Sequence, residues 1–474
     1  MAEADLIVVG AGPAGASAAL AANAKGMRVV LIDEAARPGG QVYRAPPKGI
    51  AIAEAAKSSD DRSGDSLRAA LAASSVDIWG SARVWSVSGR FRVDVVSTHG
   101  NASVTAPRLI AATGAFERIV PFPGWTMPGV IGLAAATILL KAEGMLPGNR
   151  TVVAGCGPLL AAVAAKIIEG GGCVAAIVDL SSPYEWLSLS PGIATRPGLM
   201  RQGLGWCLRI GRSRVPVFFR HTVIAVHGSP RVSEVAVAPV DGEGRRRPGP
   251  VKQFDADALA IGHGLVPGAE ITRLLRADHV FCSDARVWTP VLDRDGRTTL
   301  PGLLAAGDGA SVAGATPSML SGRRAGLAAA LDSGFISTTA FADAIRLIVD
   351  EQIRTSRFAN AINRLMRPKP PLVHAIAPET IVCRCEDVIR AEIDEAIKAG
   401  ASEMNQLKHF TRCGMGPCQG RMCSETAAEL LAIHVGREAA GYWTARPPLR
   451  PVALASVLGT FSYDDIPVPT PAPL

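Results

Sequence analysis

The stretch Leu6–Gly15, LIVVGAGPAG, constrains the fold more than any other part of the chain. Its four apolar residues Leu6–Val9 predict a strand buried on both faces, as in a parallel sheet. Gly10, Gly12 and Gly15 follow at GxGxxG spacing, with Pro13 and Ala14 between them, and Ala16–Ala24 predicts a helix. Each glycine has its own task in a dinucleotide-binding turn. Gly10 turns the chain tightly, Gly12 lets a pyrophosphate reach the backbone, and Gly15 lets helix and strand pack closely. The free N–H groups at the helix start, with their partial positive charge, then face the phosphates. A second apolar run, Met27–Ile32, ends at Asp33, eighteen residues after Gly15. A carboxylate there meets a ribose hydroxyl, and Glu34 is the alternative for that role. Strand, turn, helix, strand and acid in this order outweigh an ordinary glycine-rich turn.

A chain of 474 residues accommodates two or three domains, and 48% apolar with 19% charged residues is a globular composition. The net charge of +7 comes from scattered arginines. Their densest run, Arg245–Arg247, lies among Gly and Pro and reads as a solvated loop. No stripe alternates basic with aromatic residues, so no nucleic-acid partner is expected. Lys141 closes the apolar run Leu133–Leu140 and Lys166 interrupts Pro158–Ile168, so no membrane span is expected. The opening Met-Ala-Glu-Ala-Asp lacks the basic region of a secretory signal, and a cytoplasmic chain is expected.

Pro38-Gly39-Gly40-Gln41 forms a turn after the second strand. Residues 45–75 carry little pattern; Pro46-Pro47 and Lys57–Asp65 predict polar loop. Val76–Val84, Phe91–Ser97 and Ser103–Ala106 predict short strands of a small β layer. Leu109–Gly114 is an apolar strand ending in Ala112-Thr113-Gly114, and Leu303–Gly309 is another, ending in Gly307-Asp308-Gly309 before a helix at Ser318–Leu331. Between them, Thr151–Leu160 repeats the strand–glycine–helix start, followed by strand Cys173–Val178 and Asp179. The third glycine position is Leu160, which should push helix from strand or keep a nucleotide off. A retained fold with an empty site is the expectation. Asp257–Val266 closes this unit, with His263 in a loop near the interdomain crevice. Residues 335–366 predict helix, and Arg367-Pro368-Lys369-Pro370-Pro371 cannot continue it and reads as a linker.

Of nine cysteines, Cys156, Cys173, Cys207 and Cys282 are dispersed, and most are expected to be buried small apolar residues. The other five crowd into Cys383–Cys423, which in a cytosolic chain argues for metal or redox chemistry rather than disulfides. Four thiolates suit a [2Fe–2S] cluster, and zinc equally. Cys383-Arg384-Cys385 puts two thiolates on one short turn, and the glycine-rich loop Cys413–Cys423 lets amides point at bridging sulfides. There is one cysteine too many. The CxC–CxxxxC pattern resembles the ferredoxin-like domain related to bacterioferritin-associated ferredoxin, some relatives of which lack the Cys413 equivalent. The expected ligands are Cys383, Cys385, Cys418 and Cys423, with Cys413 spare.

GAGPAG, PGGQ, ATGAFER, VPFPGWTMPGV, GCGPLL, AGDG, CRCEDV, FTRCGMGPCQGRMC and ARPPLRPV stand in this order along the chain. In that order they resemble one family, the larger α subunit of heteromeric amine and amino-acid dehydrogenases. It includes the α subunits of opine oxidases, D-hydroxyproline dehydrogenase and dye-linked L-proline dehydrogenase. The HcnB subunit of hydrogen cyanide synthase and part of sarcosine oxidase α are similar. The resemblance implies an α/β fold: a two-dinucleotide-binding-domain flavoprotein, its FAD Rossmann unit interrupted by a second one, plus a small C-terminal α-rich [2Fe–2S] domain. The implied divisions are 1–118 and 266–335 for the FAD domain, 119–148 connecting, 149–265 for the inserted unit, 336–378 for helix and linker, 379–436 for the cluster domain and 437–474 for a tail. Gly40 and Gln41, Thr113 and Gly114, and Gly307 with Asp308 would then border the flavin. Relatives hold FAD, NAD or ATP at the N-terminal site, and the three anchors favour FAD.

The family also implies a division of labour. An FAD-containing β subunit of D-amino-acid-oxidase type oxidises a CH–NH or CH–NH2 donor by hydride transfer. A small ferredoxin-like γ subunit often accompanies it, and some members hold FMN where the subunits meet. This chain would then be the electron-transferring subunit, with no catalytic residue of its own for amine oxidation; cofactors carry the electron chemistry. The alternative is a self-contained NAD(P)H-dependent FAD/[2Fe–2S] oxidoreductase using both Rossmann units. Phe122-Pro123-Gly124-Trp125 and Arg446–Arg450 suit a subunit interface if exposed, and core if buried.

Overall fold

Leu6, Ile7 and Val8 have no solvent exposure, and they sit at the middle of a five-stranded parallel sheet. Its order is Leu303–Ala305, Leu109–Ala111, Leu6–Val9, Val29–Ile32 and Asp77–Trp79. Alternate residues of the central strands enter two cores. Leu6, Val8, Val29 and Leu31 pack under the helices Pro13–Asn23 and Ala315–Asp332. These helices approach so closely that a Cβ on Gly322 or Gly326 would lie 2.0 or 2.3 Å from the carbonyl oxygen of Ala14 or Ala18. Ile7, Val9, Val30 and Ile32 face an antiparallel layer of Ala82–Ser88, Arg92–Ser97 and Gly100–Thr105. The computed structural model describes residues 2–46, 57–98 and 100–457; Pro47, on which the loop expectation partly rests, lies outside these.

Two expectations change here. Asp77–Trp79 belongs to the parallel sheet, not the small layer, because Val30, Leu31 and Ile32 pair with it in register. Lys57–Asp65 is not a polar loop: Ser58 caps a helix, Ser59–Ala72. Ser58 Oγ accepts from the Asp61 N–H while the Asp61 carboxylate accepts from the Ser58 N–H, a reciprocal cap. Leu67 and Leu71 then bury the helix's only apolar stripe, and that burial overrides the polar composition.

The inserted unit has its own parallel sheet, ordered Val130–Gly132, Ala258–Gly262, Arg150–Gly155, Cys173–Asp179 and Val217–Phe219. Leu160 does not hold helix and strand apart. It is buried among Val153, Val163 and Ile177, and helix Leu159–Glu169 packs through it. Of the dispersed cysteines only Cys156 is buried; Cys173 and Cys207 are exposed and Cys282 partly so. Cys173 starts a strand at the sheet's rim, and Cys207 lies on helix Pro197–Arg212, which buries little beyond Ile210.

Helix Thr338–Leu365 and a short helix, Pro370–His374, lead into the cysteine domain. There a two-stranded ribbon, Ile381–Cys383 with Val388–Ile389, and helices Arg390–Lys398, Met404–Thr411 and Ser424–Val435 share one core. The domain is fastened to the body. Trp125 Nε1 donates to Ile381 O at 2.6 Å, Thr426 Oγ1 to Ile119 O at 2.8 Å, and Arg286 makes a two-pronged pair with Glu429 at 2.9 and 2.8 Å. Trp125 is therefore buried inside this chain. So is Leu449 of the tail, whose N–H donates to Trp85 O at 2.7 Å. Among the described residues no helix is long and apolar enough to cross a membrane.

Candidate cofactor sites

The N-terminal glycines bear out three different spatial demands. A Cβ on Gly10, at φ +103°, would lie 2.3 Å from Ala112 O, and one on Gly15 only 1.7 Å from Gly10 O. Any side chain at either breaks the turn. Gly12 is different: its only neighbour within 4 Å is Gly40 Cα at 3.7 Å, which leaves that face open. Pro13 opens the helix, where its missing N–H costs nothing, and Ala14 follows beneath Gly307. The turn thus presents bare backbone and a helix start, the arrangement a pyrophosphate needs.

Asp33 reaches back to this turn. Its Oδ2 accepts from the Ala11 N–H at 2.5 Å and its Oδ1 from the Ala35 N–H at 2.7 Å. Burial pushes its carboxyl up, against the pull of these two bonds. Glu34 points to solvent, 3.9 Å from the Arg450 guanidinium. Gly40 lies on Gly12, and Gln41 is exposed and accepts from Arg44 at 3.1 Å. Thr113 Oγ1 donates to Gly268 O at 2.5 Å, and the Gly268 N–H donates to Gly114 O at 2.8 Å, pinning the strand end to the returning chain. Asp308 Oδ1 organises its own loop, accepting from Ala313 and Gly314 N–H and from Ser318 Oγ at 2.9–3.0 Å. The Gly307 N–H donates to Ser321 Oγ at 3.0 Å. All these residues collect at the carboxyl ends of the first sheet's strands, where nucleotides bind in such folds.

The five clustered cysteines also come together. The sulfurs of Cys383, Cys413 and Cys423 lie within 4.8 Å of one another, all three fully buried. Hydrogen bonds from the Cys413 and Cys423 thiols hold the Cys383 thiol far below its usual range, and the same bonds keep the proton on Cys423. Cys385 and Cys418, half-buried, hydrogen-bond to each other; burial raises the Cys385 thiol. Cys413, expected as the spare, stands inside the buried trio. Arg412 adopts φ +61° at the end of helix Met404–Thr411 and turns Cys413 inward. Five soft donors in one place suit iron or zinc.

Sequence reading missed what surrounds these sulfurs. Trp443 lies across the loop and donates from Nε1 to Met404 O at 2.7 Å. Lys408 Nζ sits 5.9 Å above its ring, its charge facing Cys423 and Cys413, and burial lowers its pKa. Arg421 donates to Cys418 O at 2.8 Å and to Leu449 O at 3.0 Å, and its Nε lies 2.8 Å from Glu270 Oε1 of the flavoprotein body. No spacing rule selects a tryptophan or lysine for such roles.

In the inserted unit the acid at the strand end is already used. Asp179 accepts from Ser181 N–H and Oγ at 2.8 and 2.7 Å and from Trp186 Nε1 at 3.1 Å. His263 lies buried beside it in the crevice; burial, with Arg118 facing it, pushes its pKa down to about 4.

Residues 4–330 match the profile of the pyridine nucleotide-disulphide oxidoreductases, and residues 381–433 that of the BFD-like [2Fe-2S] binding domain. The first implies FAD binding and the second a [2Fe–2S] cluster. The chain is 36% identical to the larger-assembly component named opine oxidase A, from Agrobacterium tumefaciens, over 96% of its own length and 91% of the relative's. It is 31% identical to the hydrogen cyanide synthase subunit HcnB of Pseudomonas aeruginosa, over 96% and 98%. The crystal structure of L-proline dehydrogenase from P. horikoshii shares its fold with a TM-score of 0.69, covering 96% of this chain and 80% of that one at 21% identity.

Proposed function

The chain belongs to the pyridine nucleotide-disulphide oxidoreductase family, and from that premise we propose that it is the electron-transferring α subunit of a heteromeric dehydrogenase. The complex oxidises the C–N bond of an amino acid, imino acid or opine. Oxidation takes place on an FAD-containing β subunit of D-amino-acid-oxidase type, in the cytoplasm. Its further parts are a small ferredoxin-like γ subunit, plus FMN where the subunits meet. Relatives named as subunits of an opine oxidase and of hydrogen cyanide synthase support a role inside an assembly.

In this reading the N-terminal site takes FAD. Gly12 leaves the backbone bare for the pyrophosphate, the helix at Pro13 offers its N–H groups, and Asp33 fixes the turn that carries both. Gly40, Gln41, Thr113, Gly114, Gly307 and Asp308 border the rest of the cofactor. Cys385 and Cys418 take one iron of a [2Fe–2S] cluster and Cys383 and Cys423 the other, with Cys413 as a buried neighbour. FAD and the cluster supply two-electron and one-electron chemistry when bound. The protein's part is placement. Trp443 and the glycine loop keep water from the sulfurs, and Lys408 sets a positive charge opposite their negative one.

One observation carries the reading: Arg421 joins the cysteine loop, through Cys418 O, to Glu270 of the flavoprotein body, so that one rigid unit holds both redox sites. The test is co-expression with the FAD-containing partner, followed by flavin and iron analysis and by dye reduction with amino and imino acids. Dye reduction by the complex and none by the isolated chain is expected. Full turnover by the isolated chain, or a complex without iron, overturns it.

A further inference from the structure

We propose that residues 366–373 are a built-in plug of the second dinucleotide crevice, closing it to nicotinamide nucleotides and bolting the cysteine domain to the body. The two glycine turns of this chain give an internal comparison. At Gly12 the space beyond the backbone is free but for Gly40 Cα. At Gly157, the equivalent second glycine of the inserted unit, a Cβ would lie 2.7 Å from Met366 Cγ and 3.1 Å from its Sδ. That is the space a pyrophosphate must enter. Met366 is the last cap of helix Thr338–Leu365, so a helix of the same chain delivers it there.

The rest of the segment fills what remains. Met366 and Leu372 pack on Cys156, Leu180 and Val240 at the carboxyl ends of the sheet. The Met366 carbonyl oxygen lies 3.3 Å from where a Cβ on Gly264 would stand. Lys369 donates to Gly242 O and lies 3.9 Å from Glu185. A cavity of about 30 Å³ persists beside the segment, room for a water molecule and not for a nucleotide. Asp179, the ribose-binding position, is turned onto Ser181 and Trp186. One residue beyond Leu372, Val373 enters the core of the cysteine domain. The segment thus has apolar anchors in both bodies, and what looks like a spare nucleotide domain is a seat for the connection between them.

The inference stands apart from the proposed function, and hydrogen exchange on the full chain with its cofactors tests it. With millimolar NADH or NADPH, exchange at residues 155–160 is expected to stay unchanged; protection there overturns the proposal. In the double variant Met366→Gly/Leu372→Ala, amides of residues 364–376 are expected to exchange about tenfold faster or more, while residues 381–433 keep their protection. Met366→Ala alone, a milder change, should move the same amides in the same direction. Unaltered exchange of 364–376 in a folded variant means that these side chains anchor nothing and overturns the bolt.

Discussion

A Cβ placed on Gly420 would lie 2.3 Å from Cζ3 of Trp443. The same ring bars one at Gly414, at 2.5 Å, and both glycines have positive φ, +82° and +86°. The tryptophan is therefore fitted to a loop that has to be bare. Gly420→Ala combines backbone strain with overpacking and should cost about 1–3 kcal/mol, lowering the melting temperature and the iron content. Trp443→Phe keeps a ring over the loop and loses one hydrogen bond, about 0.5–1.5 kcal/mol. Thermal unfolding of the two variants should rank them in that order.

The glycines of the first turn are expected to part company when each is changed to alanine. Gly15→Ala drives a methyl into Gly10 O at 1.7 Å and should prevent folding of the N-terminal domain. Gly12→Ala meets only Gly40 Cα at 3.7 Å, so the chain should fold and melt as the wild type does. The methyl then stands where the pyrophosphate approaches, and FAD should bind about tenfold more weakly or worse, roughly 1.4 kcal/mol. Flavin retained on gel filtration is the measurement.

For the cysteines, alanine variants assign the ligands. Cys385→Ala, Cys418→Ala, Cys383→Ala and Cys423→Ala should each abolish the visible absorbance of the cluster. Cys413→Ala should keep about two irons per chain, with an altered environment at Cys383, whose sulfur loses a hydrogen bond. Iron analysis after anaerobic purification decides it, and loss of iron from Cys413→Ala would move that residue into the ligand set.

Which of these features can be read from the chain alone follows a physical pattern. Gly10, Gly12 and Gly15 are legible because their demands are local: each concerns backbone within a turn whose flanking strand and helix are adjacent in sequence. The helix Ser59–Ala72 is not, because its polar composition hides two leucines that only the sheet makes useful. Leu160 reads as the obstacle to a second nucleotide, yet it is harmless core; the obstruction comes from Met366, which no motif links to Gly157. The cysteine spacing marks a metal site, but spacing does not say which sulfurs turn inward, and Arg412's left-handed backbone puts Cys413 there.

His263 makes stability depend on pH. Burial, with Arg118 facing it, pushes its pKa from the ordinary 6.5 down to about 4. The folded chain therefore holds it neutral through a range in which the unfolded chain protonates it. Above the unfolded value both states are neutral and the group contributes no slope. Below that value the unfolded state binds the extra proton, so stability falls as pH falls toward the folded value, by about 1.4 kcal/mol per unit. Asp179 and Glu117, whose carboxyls burial raises, act in the opposite sense, since there the folded state takes up the proton first. His263→Gln removes one group and leaves those two, so the difference between the wild-type and variant profiles isolates it. Between about pH 7.5 and about pH 5.5 the wild type should lose about 1 kcal/mol more than the variant in urea unfolding; parallel profiles would mean that His263 is charged in the folded protein and that Arg118 has moved away from it.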